Sequence, residues 1–190
     1  VTGSNRGIGL AIARALGQQG HRIVLVARDA AQLDAAVREL GAAGTTAKSC
    51  AVDLRDPTAA DRAVQFTREH FGEPSVLVNN AGTAPTAKFE ATTDALLDET
   101  LDLHVRAPLR FCRAVLPAMK AAGHGCILQL ASTAGLRGFP FTAAYTAAKH
   151  AMVGMTRALA AELQRSQVRC YAVCPGFVDT AITRDAAAAI

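Results

Sequence analysis

Tryptophan is absent from this chain of 190 residues, and only two tyrosines occur. The few aromatics are not interleaved with the scattered basic residues. A net charge of +4 therefore describes a mildly basic globular protein or one with a phosphorylated small ligand, and no nucleic-acid partner is expected. Five cysteines, an odd number, form no CxxC and show no Cys/His ligand spacing. A disulfide framework and a metal site are thereby set aside, and the thiols read as small buried residues of a reducing compartment. No apolar run reaches membrane length, no leader is apparent, and repeats, low-complexity tracts and linkers are missing. A cytoplasmic protein built as one domain over 1–190 is expected.

What is present is a 51 % hydrophobic composition carried by Ala, Val, Leu and Ile, which suits buried parallel strands flanked by helices. Short β-rich runs lie at 22–27, 49–52, 75–79, 126–131 and 168–173. Between them, 8–18, 30–42, 57–70, 94–120 and 142–165 carry apolar residues three and four apart. Such alternation predicts an α/β fold, a parallel sheet with helices on both faces. Asp29, three residues before Gln32, is expected to cap the second helix from both sides, and Gly41 and Gly44 to end it. Only Val1 and Thr2 precede the first glycine, whereas a strand usually needs about five residues. The natural protein is therefore expected to continue on that side.

Gly3, Gly7 and Gly9 stand directly before the first helix. Glycines there allow a tight turn and close approach of a ligand, and the free N–H groups of the helix start suit a phosphate. By itself this is an ordinary glycine-rich turn. Tyr145 and Lys149 are four residues apart in AAYTAAKH, hence on one helical face. A free phenol has a pKa of about 10 and is a usable acid at neutral pH; a nearby ammonium lowers that value.

TGSNRGIG (2–9), NNAG (79–82), Ser132, YTAAK (145–149) and PGFVDT (175–180) follow one another in order. In these motifs the whole chain resembles the short-chain dehydrogenase/reductase family. The resemblance implies a Rossmann-type doubly wound sheet in the order 3-2-1-4-5-6, with a seventh strand outside these residues. It implies a nicotinamide cofactor over the carboxyl ends of the strands, contacted by Gly3, Asn5, Arg6, Gly7, Ile8, Gly9, Arg28, Asp53, Leu54, Asn80, Ala81, Gly82, Tyr145, Lys149, Pro175, Gly176, Val178 and Thr180. Asp53 would meet the adenine amine, and Val178 and Thr180 the carboxamide; Thr180 is otherwise a helix cap. Ala27 occupies the position where an acid selects NAD, and Arg28 and Arg6 stand nearby. Two guanidiniums favour a 2′-phosphate, so NADP(H) is expected over NAD(H). The alternative leaves both arginines as solvated surface residues.

The resemblance also implies catalysis by Ser132, Tyr145 and Lys149. Tyr145 would move the proton between a ketone and a secondary alcohol, Lys149 would tune it and hold the nicotinamide ribose, and Ser132 would steady the substrate oxygen. Thr133 is an adjacent bystander. His104, in LHVRAP, replaces the family's asparagine. It either keeps a proton relay, with altered pH behaviour, or is a buried histidine with no relay role. Tyr171 is expected to pack. Within this class a 3-oxoacyl thioester is one candidate substrate, although the arginines that dock an acidic carrier are replaced by Gly123 and Ser166. A non-catalytic dinucleotide-binding scaffold on the same fold is the competing reading. Homodimers or homotetramers through 94–120 and 142–165 are the implied assembly, with Leu101, Val105, Leu109, Met152, Met155 and Leu159 as candidate contacts.

Overall fold

The computed structural model describes residues 1–180. Five strands alternate with helices: α1 (Gly7–Gln18), β1 (Ile23–Ala27), α2 (Ala30–Ala42), β2 (Ala47–Ala51), α3 (Ala59–Phe71), β3 (Val76–Asn79), α4 (Asp94–Leu101), α5 (Ala107–Ala122), β4 (Gly125–Leu130), α6 (Ala143–Glu162) and β5 (Val168–Val173). All the pairings are parallel: β1 with β2, β3 with β4, and β4 with β5.

Val1 and Thr2 close the gap between β1 and β3. The Val26 N–H donates to the Val1 carbonyl at 3.0 Å and Thr2 N–H to the Val78 carbonyl at 2.9 Å. With residues 1–2 taken as the first strand, the order is the expected 3-2-1-4-5-6. β1 is buried along its whole length, as a strand covered on both faces must be. On one face Val24, Val26, Leu77 and Ile127 pack with Phe111 and Val115 of α5. On the other, Leu25 packs with Leu33 and Leu40 of α2. Ala131, Met152 and Val153 form a third, smaller core under α6.

Several expectations are corrected in detail. The segment 94–120 is not one helix: a π-helical turn, Asp102–Arg106, separates α4 from α5. Asp29 accepts the Gln32 N–H at 3.0 Å, but Gln32 does not return the bond; its side-chain oxygen accepts from Asn5 Nδ2 at 2.7 Å. Gly41 lies inside α2, and it is Gly44 that takes the left-handed conformation (φ +81°) beyond its end. Tyr171 does not pack: its side chain is half exposed on β5. Met152 belongs to the core and Leu159 packs against it, whereas Leu109 stands exposed. The apolar spacing of α6 is thus mostly explained within the chain. No helix among the described residues is long and apolar enough to cross a membrane.

Candidate active site

The glycine loop and the loop after β3 are stitched into one body. Asn80 donates from Nδ2 to the carbonyls of Thr2 and Gly3, each at 3.0 Å. The Thr2 hydroxyl accepts the N–H groups of Asn80 and Ala81 at 3.0 and 3.1 Å. Ser4 Oγ donates to the Val1 carbonyl at 2.7 Å and accepts the Val26 N–H at 3.1 Å. Sequence reading missed Thr2 and Ser4, because only the folded loop shows which hydroxyls face inward.

The glycines divide their roles. A Cβ on Gly3 would lie 2.7 Å from Ala81 Cα, and one on Gly9 only 2.3 Å from the Gly3 carbonyl oxygen. Those two let the chain approach itself. Gly7 is needed for its left-handed backbone, φ +57°, instead; a Cβ there would meet Thr180 Cγ2 at 3.8 Å, an ordinary contact. Arg6, the residue before α1, makes no side-chain cap, and the first turn of α1 holds no acid. The N–H groups of that turn thus suit a dinucleotide's phosphates. Ile8 is half-buried in this turn.

Arg6 and Arg28 are exposed, and neither is held in an ion pair among the described residues. Asp53 is engaged by Arg55: Nη2 to Oδ2 is 2.8 Å and Nε to Oδ1 is 3.2 Å. These bonds hold its carboxyl below the usual carboxylate range. Leu54, expected at the cofactor, has its side chain buried in the core. Pro175 accepts the Thr133 N–H at 2.9 Å, which joins the loop after β5 to that after β4; Gly176 and Val178 follow, both exposed.

Ser132, Tyr145, Lys149 and His104 come together at the carboxyl end of β4. Ser132 follows the strand and accepts the Ala134 N–H at 3.1 Å, with its side chain beside the Tyr145 phenol. Burial raises the phenol above its ordinary pKa, and the Ser132 hydroxyl works against that rise. Lys149, one turn on in α6, is 3 % exposed. Its Nζ donates to the Leu130 carbonyl at 2.6 Å and lies 5.6 Å from the centroid of the Tyr145 ring. Desolvation lowers this amine to a pKa of about 7. The ammonium thus sits over the phenol's face, and Ser132 is the group that favours the phenolate.

His104 lies in the π-helical turn, where the bulge points the side chain inward. It is buried, and its ring meets Tyr145 edge-to-face at 5.5 Å. Nε2 lies 2.9 Å from the Thr83 carbonyl oxygen and 3.2 Å from its nitrogen, so it bonds one or the other according to tautomer. Nδ1 has no partner. Gly82 accommodates the imidazole: a Cβ there would lie 2.5 Å from Cε1. Burial first, and then the Lys149 charge, hold His104 down to a pKa of about 3. It is neutral at working pH, so neither a relay through it nor a purely packing role involves its own titration. His104→Asn should therefore leave the shape of the rate–pH profile unchanged between about pH 5 and about pH 9. A displaced limb in that range would make the imidazole a titrating participant.

Among the described residues no cluster of His, Cys, Asp and Glu could hold a metal ion. The model of the short chain dehydrogenase family matches residues 1–190. A Streptomyces virginiae protein bearing the name of a monensin polyketide synthase ketoacyl reductase is 40 % identical over 182 residues, covering 95 % of this chain and 70 % of its own. A crystal structure of an actinorhodin polyketide ketoreductase variant with NADPH superposes with a TM-score of 0.95 at 37 % identity, covering 97 % of this chain and 72 % of its own. L-Sorbose reductase from Gluconobacter frateurii, complexed with NADPH and L-sorbose, gives 0.90 at 34 %, covering 93 % and 68 %. With this fold, these motifs and the family match along its whole length, the chain belongs to the short chain dehydrogenase family of oxidoreductases.

Proposed function

We propose that this protein binds NADP(H) and interconverts a ketone and a secondary alcohol, with Tyr145 as the proton donor and acceptor. The observation that carries this reading is the convergence of Ser132, Tyr145 and Lys149 beside the glycine loop. The nicotinamide supplies or takes the hydride when bound. Ser132 holds the substrate oxygen against the Tyr145 hydroxyl and offsets the charge that develops there. A phenol raised by burial stays protonated at neutral pH, which suits proton delivery in the reducing direction. Lys149 and the loop from Asn80 to Gly82 position the cofactor's ribose. Pro175, Gly176, Val178 and Thr180 face its carboxamide.

Arg28, with Arg6, is assigned the 2′-phosphate, and the two neighbours solved with NADPH support that choice. Arg28→Ala should weaken NADPH binding about 10- to 100-fold, the loss of a charge-assisted phosphate contact, and leave NADH binding unmoved. Equal weakening of both would assign Arg28 to the fold. The function itself is tested by following NADPH oxidation over a panel of ketones. Consumption with none of them, under conditions where NADPH binds, would favour the scaffold reading.

A polyketide-type or 3-oxoacyl thioester is the finer substrate proposal, supported by the names of the relatives. Gly123 and Ser166, where carrier-docking arginines would stand, argue for a substrate that is free of an acidic carrier instead. Gly123 closes α5 at φ +71°, where a side chain is strained, and Ser166 Oγ is spent on its own loop. We place the protein in the cytoplasm, where NADPH-driven reduction runs, and assign the exposed Leu109 on α5 to a subunit contact in a homodimer or homotetramer.

A further inference from the structure

The chain has seven phenylalanines. Phe66, Phe71 and Phe111 pack in the core. The other four are exposed: Phe89 at 82 %, Phe139 at 38 %, Phe141 at 44 % and Phe177 at 89 %. All four stand in the loops that follow β3, β4 and β5, three neighbouring strands. Those loops are tied together. The Ala87 N–H donates to the Phe141 carbonyl at 2.8 Å, and the Thr133 N–H to that of Pro175 at 2.9 Å. Phe89 is two residues beyond the first bond and Phe177 two beyond the second. Phe141 lies four residues before Tyr145 in sequence. Exposed apolar side chains scatter singly on most surfaces, and four in the loops that leave the carboxyl ends of three neighbouring strands, the end that also carries Ser132, mark a binding region.

Phe141 adds an independent observation. It is the one non-glycine among the described residues with a left-handed backbone, at φ +63°. A glycine would take that conformation without steric cost. A bulky ring kept there, with its carbonyl pinned across to the neighbouring loop, is strain retained beside a site. The Arg137 guanidinium stacks over the Phe139 ring, 5.0 Å from its centroid, and supports that side chain from one face.

We infer that Phe89, Phe139, Phe141 and Phe177 form an apolar rim that grips the non-reacting body of a bulky, ring-bearing, apolar ketone, and that they set specificity against small polar ketones. The inference rests on the ketone/alcohol reading and narrows its substrate class. The rim grips by burying apolar area, so its contribution scales with the substrate's apolar surface and is independent of the proton transfer at Tyr145.

The test compares 4-phenylcyclohexanone with cyclohexanone, which share a reacting carbonyl and differ by one distal ring. The ratio of their kcat/KM values in the wild type should be at least about tenfold. Phe89→Ala and Phe177→Ala should each cut that ratio about 3- to 10-fold, leaving kcat/KM for cyclohexanone and the melting temperature unchanged. Phe141→Gly should cut it likewise while melting at or above the wild-type temperature. A fall in at least two of the three variants upholds the rim. A wild-type ratio of one or less, or fewer than two variants responding, overturns it. Alanine variants that melt lower with the ratio unmoved also overturn it, and assign the phenylalanines to a covering segment or a second copy.

Should neither ketone be reduced, the ketone/alcohol reading is what fails. Saturation transfer to 4-phenylcyclohexanone in the presence of NADPH then decides the rim separately. Transfer that is lost in Phe89→Ala and Phe177→Ala upholds it; no transfer in the wild type, or transfer unchanged in the variants, overturns it.

Discussion

Tyr145→Phe should lower the rate of ketone reduction by about 10²–10⁴-fold, the range spanned by a positioned general acid, while NADPH binds as before. The two side chains differ by one hydroxyl, and that hydroxyl is the group whose ionisation Ser132 favours. The ring remains, so its edge-to-face contact with His104 at 5.5 Å and the Lys149 amine over it are kept. The loss should fall on kcat, because a proton delivered to the substrate oxygen is worth most in the transition state. The reverse reaction adds a second reading. Alcohol oxidation needs the phenolate, and burial raises the phenol. The wild-type oxidation rate should therefore climb with pH through the alkaline range, while reduction stays level near neutrality. A variant that keeps more than about a tenth of the wild-type reduction rate would move the proton to another donor.

Much of this arrangement can be read in the chain before any coordinates. The five strand-like runs and the helices between them are set by apolar spacing, and apolar spacing is what a covered parallel sheet demands. Tyr145 and Lys149 share a face because four residues make about one turn. What stays hidden depends on contacts across the sequence. The π-helical turn at Asp102–Arg106 leaves the apolar period of the helix nearly intact, yet it turns His104 inward against Tyr145 and Thr83. Gln32 looks like half of a capping box, but Asn5, distant in sequence, captures its side chain. Asn79 and Gln129 are paired in register on β3 and β4, and both donate side-chain N–H groups to Cys112 Sγ, at 3.7 and 3.1 Å. Nothing in the spacing of those residues announces a buried polar cluster, since each occupies an ordinary strand or helix position. The cluster pushes no thiol toward reactivity: burial raises Cys112 to about 11. The direction of the Tyr145 shift was equally out of reach, because a spacing of four fixes a face and says nothing of solvent.

Lys149→Met should reverse the sign of its effect on stability between acid and alkaline pH. The ordinary lysine value is 10.5, and desolvation lowers this one to about 7. Between those two values the unfolded chain holds a proton that the folded chain lacks, so wild-type stability rises with pH across that window. Below about pH 7 the amine is charged in both states, and the folded protein carries the full cost of a buried ammonium, on the order of 5 kcal/mol at about 1.4 kcal/mol per pH unit. Above about pH 10.5 that cost is gone. Methionine, a flexible apolar chain of similar length, removes the cost at every pH. It also removes the donor to the Leu130 carbonyl, now 2.6 Å away, and a buried carbonyl left without its bond costs about 1–3 kcal/mol. The sum is a variant more stable than the wild type by about 2–4 kcal/mol near pH 6 and less stable by up to about 2 kcal/mol near pH 10, where the unfolded amine is still mostly charged. Denaturant unfolding of the cofactor-free protein at those two pH values measures both signs. The same variant should be catalytically crippled, so the acid-side gain in stability marks a lysine held at the site against the preference of the fold. Equal stability changes at the two pH values would mean that the amine keeps its ordinary proton affinity in the folded state. The cost of burying Lys149 would then have to be met by a partner other than the Leu130 carbonyl.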